Sequence, residues 1–129
     1  MKREIIATTR APQAIGPYSQ AVRFSGSLVY TAGQIPIDPA SGQVVGTTMA
    51  EQTEQVLRNL SAVLTAAGAS PATAVKVTVF LKNMADFAEM NDVYGRYFPQ
   101  APPARSAVEV ARLPKDVLVE IECLALAES

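Results

Sequence analysis

From Val75 to Lys82 every second residue is a branched aliphatic, Val75, Val77, Val79 and Leu81, with Lys76, Thr78, Phe80 and Lys82 between them. A strand sends successive side chains to opposite faces, so this run predicts a strand with one face buried. Just upstream, Val56, Leu57, Leu60, Val63, Leu64 and Ala67 recur at helical spacing, while Glu51, Gln55, Arg58, Asn59 and Thr65 fall on the other side. Thr47 or Thr48 suits the N-cap, and Gly68 offers a left-handed stop. A one-stripe helix joined by a short connection to a one-faced strand buries both by folding one onto the other. The chain therefore needs a helix layer on a sheet layer.

The remaining elements fit that plan. Ile5 and Ile6 suggest an edge strand; residues 18–24 and 28–35 read as a hairpin joined at Ser25-Gly26. Residues 36–47 form a loop with Asp38-Pro39 and Ser41-Gly42 as turns. A second helix over 86–98 has the stripe Phe87, Met90, Val93, Tyr94 and Tyr97, and Pro99, Pro102 and Pro103 end it. Strands over 104–110 and 117–126 finish the chain. The order β-β-β-α-β-α-β-β predicts an α+β fold, a mixed six-stranded sheet with two helices on one face, in one domain of 129 residues.

Absences restrict the chemistry. With no histidine and one cysteine, Cys123, the chain holds neither a Ser-His-Asp nor a Cys-His nucleophile, and no zinc site of His or clustered Cys. Glycine-rich nucleotide cradles are missing too, so the expectation is no metal and no cofactor. A net charge of −1 gives no basic field for nucleic acid. The N-terminus lacks the apolar core of a secretory signal, and no run approaches the ~18 apolar residues of a membrane span. A cytoplasmic protein without membrane or nucleic-acid partners is expected, its lone cysteine fitting a reducing compartment.

The last two strands hold unusual charges. Alternation puts Arg105, Ala107 and Glu109 on one face of their strand, and Leu118, Glu120, Glu122, Leu124 and Leu126 on one face of the last. If the β-branched sets lie under the helices, Arg105, Glu109, Glu120 and Glu122 share the other face with Phe80 and the leucines. That mixture is too apolar for solvent and too charged for a core, and predicts a surface covered by another subunit. Two readings of Arg105 and Glu120 stay open: a structural ion pair, or an arginine gripping a substrate carboxylate beside a carboxylate that handles water.

The run PARSAVEVARLPKDVLVEIE, from Pro103 to Glu122, resembles the signature segment of the Rid/YjgF family of reactive-intermediate deaminases. AIGPYSQAV around Tyr18, TAGQIP around Gly33 and NDVYGRYF from Asn91 agree with it, in the family's order across nearly the whole chain. The resemblance implies a chorismate-mutase-like fold and a homotrimeric barrel with active sites between subunits. It implies hydrolysis of 2-imino acids such as 2-aminoacrylate and 2-iminobutanoate to 2-keto acids and ammonia. Arg105 would bind the substrate carboxylate and Glu120 the attacking water. Tyr18 would line the pocket, backbone at Gly33 and Ala107 would lie near the imine, and Asn91 would support the site. Ala107 and Ala32 stand where relatives often carry cysteine and serine.

Imine hydrolysis suits a chain without histidine, because a protonated imine is already electrophilic and needs only a held carboxylate, a placed water and a proton shuttle. Competing readings are a non-catalytic trimer that binds small carboxylates or shields unfolded proteins, and a single-stranded RNA nuclease.

Overall fold

Thr48 begins the first helix, α1 (Met49–Ala66), with a capping box: its hydroxyl accepts from the Glu51 amide while the Glu51 carboxylate accepts from the Thr47 and Thr48 amides. These bonds hold the Glu51 carboxyl below the usual carboxylate range. At the other end Gly68 (φ +79°) closes a Schellman turn, its amide donating to Thr65 and that of Ala69 to Leu64. Val56, Leu57, Leu60 and Leu64 are buried as expected, but Val63 and Ala67 lie at the exposed margin of the stripe. Asn59, expected in water, donates to the carbonyls of Ile35 and Ile37 and pins that loop to α1.

The structure is a computed structural model that describes residues 2–128. Around α1 the chain forms β1 (Lys2–Ile6), β2 (Ala21–Ser25), β3 (Ser27–Tyr30), β4 (Ala74–Leu81), a second helix α2 (Phe87–Tyr97), β5 (Ala104–Glu109) and β6 (Val119–Ala127). The element order matches the expectation; the pairing does not match throughout. Four strands lie in the order β3-β6-β4-β5, with β4 and β5 parallel and the other pairs antiparallel. β1 and β2 form a separate antiparallel ladder; just before β2 a parallel bridge joins Ser19 to Ala104, and Arg3 of β1 donates to the carbonyls of Ala74 and Ala101.

Two expectations are therefore corrected: the strands form no continuous six-stranded sheet, and β2 and β3 are no hairpin. Only Gly26 (φ +131°) separates β2 from β3, too short a link for a two-residue hairpin loop, and there the chain passes from one ladder to the other.

Both helices lie on one face of the four-stranded sheet. Val77, Val79 and Leu81 of β4 and Val119, Ile121 and Cys123 of β6 meet them in the core. Burial pushes the Cys123 thiol up to about 12, so it stays a neutral core side chain. The opposite face carries Lys76, Thr78 and Phe80 with their register partners Glu120, Glu122, Leu124, Ser106 and Val108. Leu28, Tyr30 and Val108 are 51%, 69% and 41% exposed there, far more apolar surface than a lone solvent face needs. Among the described residues no helix is long and apolar enough to cross a membrane.

Candidate active site

Arg105, Ala107 and Glu109 pair in register with Val77, Val79 and Leu81, whose side chains enter the core. Paired residues share a face, so Arg105 projects toward the helices and not, as expected, onto the open face with Glu120. Glu109 is corrected in the same way, and Ser106 and Val108 take the open positions. The short alternation in β5 is apolar on neither side, so parallel pairing with β4 decides which set turns inward.

Beneath α2 the Arg105 guanidinium is held on several sides. Its Nη1 donates to Asn91 Oδ1 at 2.7 Å. Its Cζ lies 4.8 Å from the Tyr94 ring centroid and 5.4 Å from those of Tyr18 and Phe87. Phe87, Asn91 and Tyr94 follow at i, i+4 and i+7 on one helix face, which brings Asn91 inward. Burial lowers the Arg105 pKa, and the two tyrosines oppose that shift. Among the described residues the ion pairs are Arg23–Glu4, Arg58–Glu54 and Arg112–Asp116; no carboxylate pairs with Arg105. A half-buried cation served by one amide oxygen and three ring faces is an incomplete arrangement, and an anion completes it.

A cavity of about 290 Å³ opens beside the guanidinium, lined also by Ile15, Gly16, Tyr18, Met84, Phe87, Asn91 and Ala107. The Tyr18 hydroxyl accepts from the Ile15 amide at 3.3 Å, folding the loop before β2 over the cavity. Ala107 lies on the edge strand. The Val110 amide donates to the Leu81 carbonyl; by alternation the N–H and C=O of Ala107 point away from β4. A larger hollow of about 460 Å³ under residues 5–20 has no charged side chain in its lining.

Glu120 and Gly33 meet on the other face of the sheet. A bridge between Gln34 and Ile121 brings Gly33 against the Glu120 side chain, and a Cβ on Gly33 would stand 1.9 Å from Glu120 Oε2. Glycine lets Glu120 approach this closely; its φ is not in the left-handed range. Burial, and secondarily the charge of Glu122, raises the Glu120 pKa. Glu122 in turn accepts from the Tyr30 hydroxyl at 2.6 Å.

The expected residues thus fall into two groups within one chain. Arg105, Tyr18, Asn91 and Ala107 surround the cavity; Glu120 and Gly33 lie behind it across the sheet. Phe87, Tyr94 and Met84 belong to the first group and were not anticipated. The polar Asn91 set between Phe87 and Tyr94 on an otherwise apolar stripe is the signal that marks them. Among the described residues no group of three or more His, Cys, Asp or Glu side chains is placed to hold a metal ion.

The family profile described as Endoribonuclease L-PSP matches residues 8–127. A RutC family protein of Pyrococcus abyssi is 54% identical over 128 residues, 99% of this chain and 100% of its own length. The 2-iminobutanoate/2-iminopropanoate deaminase of Bos taurus is 49% identical over 124 residues, 96% of this chain and 90% of that protein. The crystal structure of Escherichia coli TdcF with bound serine superposes with a TM-score of 0.74 at 45% identity, covering 97% of this chain and 99% of that one. With the profile spanning the fold and such relatives matching nearly end to end, this chain belongs to the L-PSP family of YjgF, RutC and Rid proteins.

Proposed function

We propose that the protein hydrolyses small 2-imino acids to 2-keto acids and ammonia, at a site built from two copies of the chain. The observation that carries this reading is the half-buried Arg105 guanidinium, unpaired with any carboxylate, facing a small and mostly apolar cavity. The names of the Bos taurus deaminase and of the serine-bound TdcF support it, serine being a small 2-amino acid. Because Arg105 and Glu120 leave opposite faces of one sheet, a second copy must bring its Gly33 and Glu120 to the mouth of the first copy's cavity. The exposed Leu28, Tyr30 and Val108 surround Glu120's face and suit such a contact. Three copies around one axis would cover all three open faces.

In this site Arg105 grips the substrate carboxylate through its paired donors while Asn91 and the rings fix its plane. The unpaired backbone edge at Ala107 directs the imine, which asks nothing of a side chain and tolerates alanine. Glu120 takes a proton from water as the water oxygen bonds to C2 and the C=N π electrons move onto nitrogen. The carboxyl then returns that proton to nitrogen, and the C2–N bond breaks. As the C2 hydroxyl becomes the ketone, its proton passes through the carboxylate to the departing ammonia. A Glu120 pKa raised above the usual carboxylate range by burial suits a group that must accept and give up the same proton. Ribonuclease chemistry finds little support here: the chain has no histidine, and among the described residues Arg105 is the only charged one lining the cavity.

Arg105→Lys tests the reading, since it keeps the charge and loses the fork, the Asn91 bond and the ring stacking. We expect kcat/KM for imine hydrolysis to fall roughly 10²-fold, with a light-scattering mass still near three times 13.7 kDa. A fully active Lys variant would refute the carboxylate fork, and a monomeric active protein would refute the shared site.

A further inference from the structure

The cavity beside Arg105 is lined by three polar side chains, Arg105, Asn91 and Tyr18, and otherwise by Ile15, Gly16, Met84, Phe87 and Ala107. Phe87 faces the guanidinium at the same distance as Tyr18. Along β5 the order Arg105, Ala107, Glu109 runs from the guanidinium toward the turn that carries Met84. That turn is held twice. The Glu109 carboxylate accepts from the Met84 amide at 2.8 Å, and Asn83 Oδ1 accepts from the Ala85 amide at 2.9 Å. Glu109 is thus an exposed acid at the end of the edge strand, engaged with the backbone of a cavity-lining residue.

The geometry points to Met84, positioned by Glu109, as the residue that sets how long a substrate side chain the site accepts. This rests on the hydrolytic reading above and deepens it. With the carboxylate on Arg105 and C2 at the Ala107 edge, the side chain runs along β5 toward Met84. The cavity is small, about 290 Å³, and Met84 closes it along β5, so each added methylene gains apolar contact until the side chain reaches Met84. Each buried methylene should raise kcat/KM about fourfold up to that length. A carboxylate side chain should be rejected, since among the described residues no cation lines the cavity beside Met84 and the Glu109 carboxylate is bonded to its amide.

The test uses imines generated in situ by an amino acid oxidase from alanine, 2-aminobutanoate, norvaline, norleucine and glutamate, with 2-keto acid formation read for each. For the wild-type chain kcat/KM should climb from the alanine to the norvaline imine by ~10-fold or more, and the glutamate imine should fall at least ~10-fold below norleucine's. Met84→Ala should move the optimum to longer chains and Met84→Trp to shorter ones. Glu109→Ala should blur the length preference, and Glu109→Gln, which keeps an acceptor for the Met84 amide, should restore it. A loss of fold alone would lower all imines together and move no optimum. A flat wild-type series, or an optimum that neither Met84 variant moves, overturns the assignment while leaving imine hydrolysis intact. Failure to hydrolyse any imine overturns the hydrolytic reading itself.

Discussion

Gly33→Ala is the most informative single perturbation, because its effect can be worked from one contact. Alanine is compatible with the backbone at position 33, so no conformational strain enters. The new methyl would stand 1.9 Å from Glu120 Oε2 and 2.7 Å from Cδ. To recover an ordinary contact of 3.4 Å, the carboxylate must withdraw by about 1.5 Å. The obstructing atoms are the end of a flexible side chain, so Glu120 rotates away and the fold survives. Overpacking costs ~1 kcal/mol at its mild end, lowering Tm by about 3–5 °C in a chain of this size. Catalysis should suffer far more. Displacing a proton-transfer group by over ~1 Å costs about 10²-fold in rate, close to ~3 kcal/mol of barrier. Steady-state ammonia release and thermal melting on one preparation give both numbers. A Gly33→Ala protein with wild-type kcat and an unchanged melt would refute the argument, since Glu120 would then have moved without consequence.

Other outcomes follow from neighbouring contacts. Glu120→Gln should reduce kcat ~10²-fold or more, as for other general acid–base groups. The folded pKa of Glu120 is raised, so the carboxyl favours its protonated form in the folded state. Its stabilising contribution is complete below the unfolded pKa and is lost as pH rises through the folded one. The Gln variant should therefore melt higher than wild type at pH 7, with the difference shrinking toward pH 4; a lower melt at pH 7 would contradict the sign. Thr48→Ala removes the hydroxyl that accepts from the Glu51 amide and should cost ~1 kcal/mol. Its Tm should fall by roughly 3–6 °C with activity retained, since α1's cap lies outside the site; an unchanged melt would mean that Glu51 alone holds the helix start.

Much of this molecule was legible locally. Side-chain period, a capping threonine and a terminal glycine identify α1, α2 and β4, because a helix or strand with one buried face writes its geometry into its own residues. The resemblance of the run around Arg105 and Glu120 picked both out as candidate site residues. Local pattern could not say where those residues point. β5 carries Arg105, Ala107 and Glu109 on one side and Ser106 and Val108 on the other, and neither set is apolar enough to choose the core. Parallel register with β4 turns Arg105 inward, and antiparallel register of β6 turns Glu120 outward. The Ser25-Gly26 turn likewise signalled a bend without naming partners, and β2 and β3 went to different ladders. Sequence by itself determined the elements and their order, because these depend on neighbours a few positions away. Tertiary structure alone decided which face each reactive group occupies, because strand pairing is a contact between residues distant in the chain, and a shift of one residue moves every side chain to the opposite side.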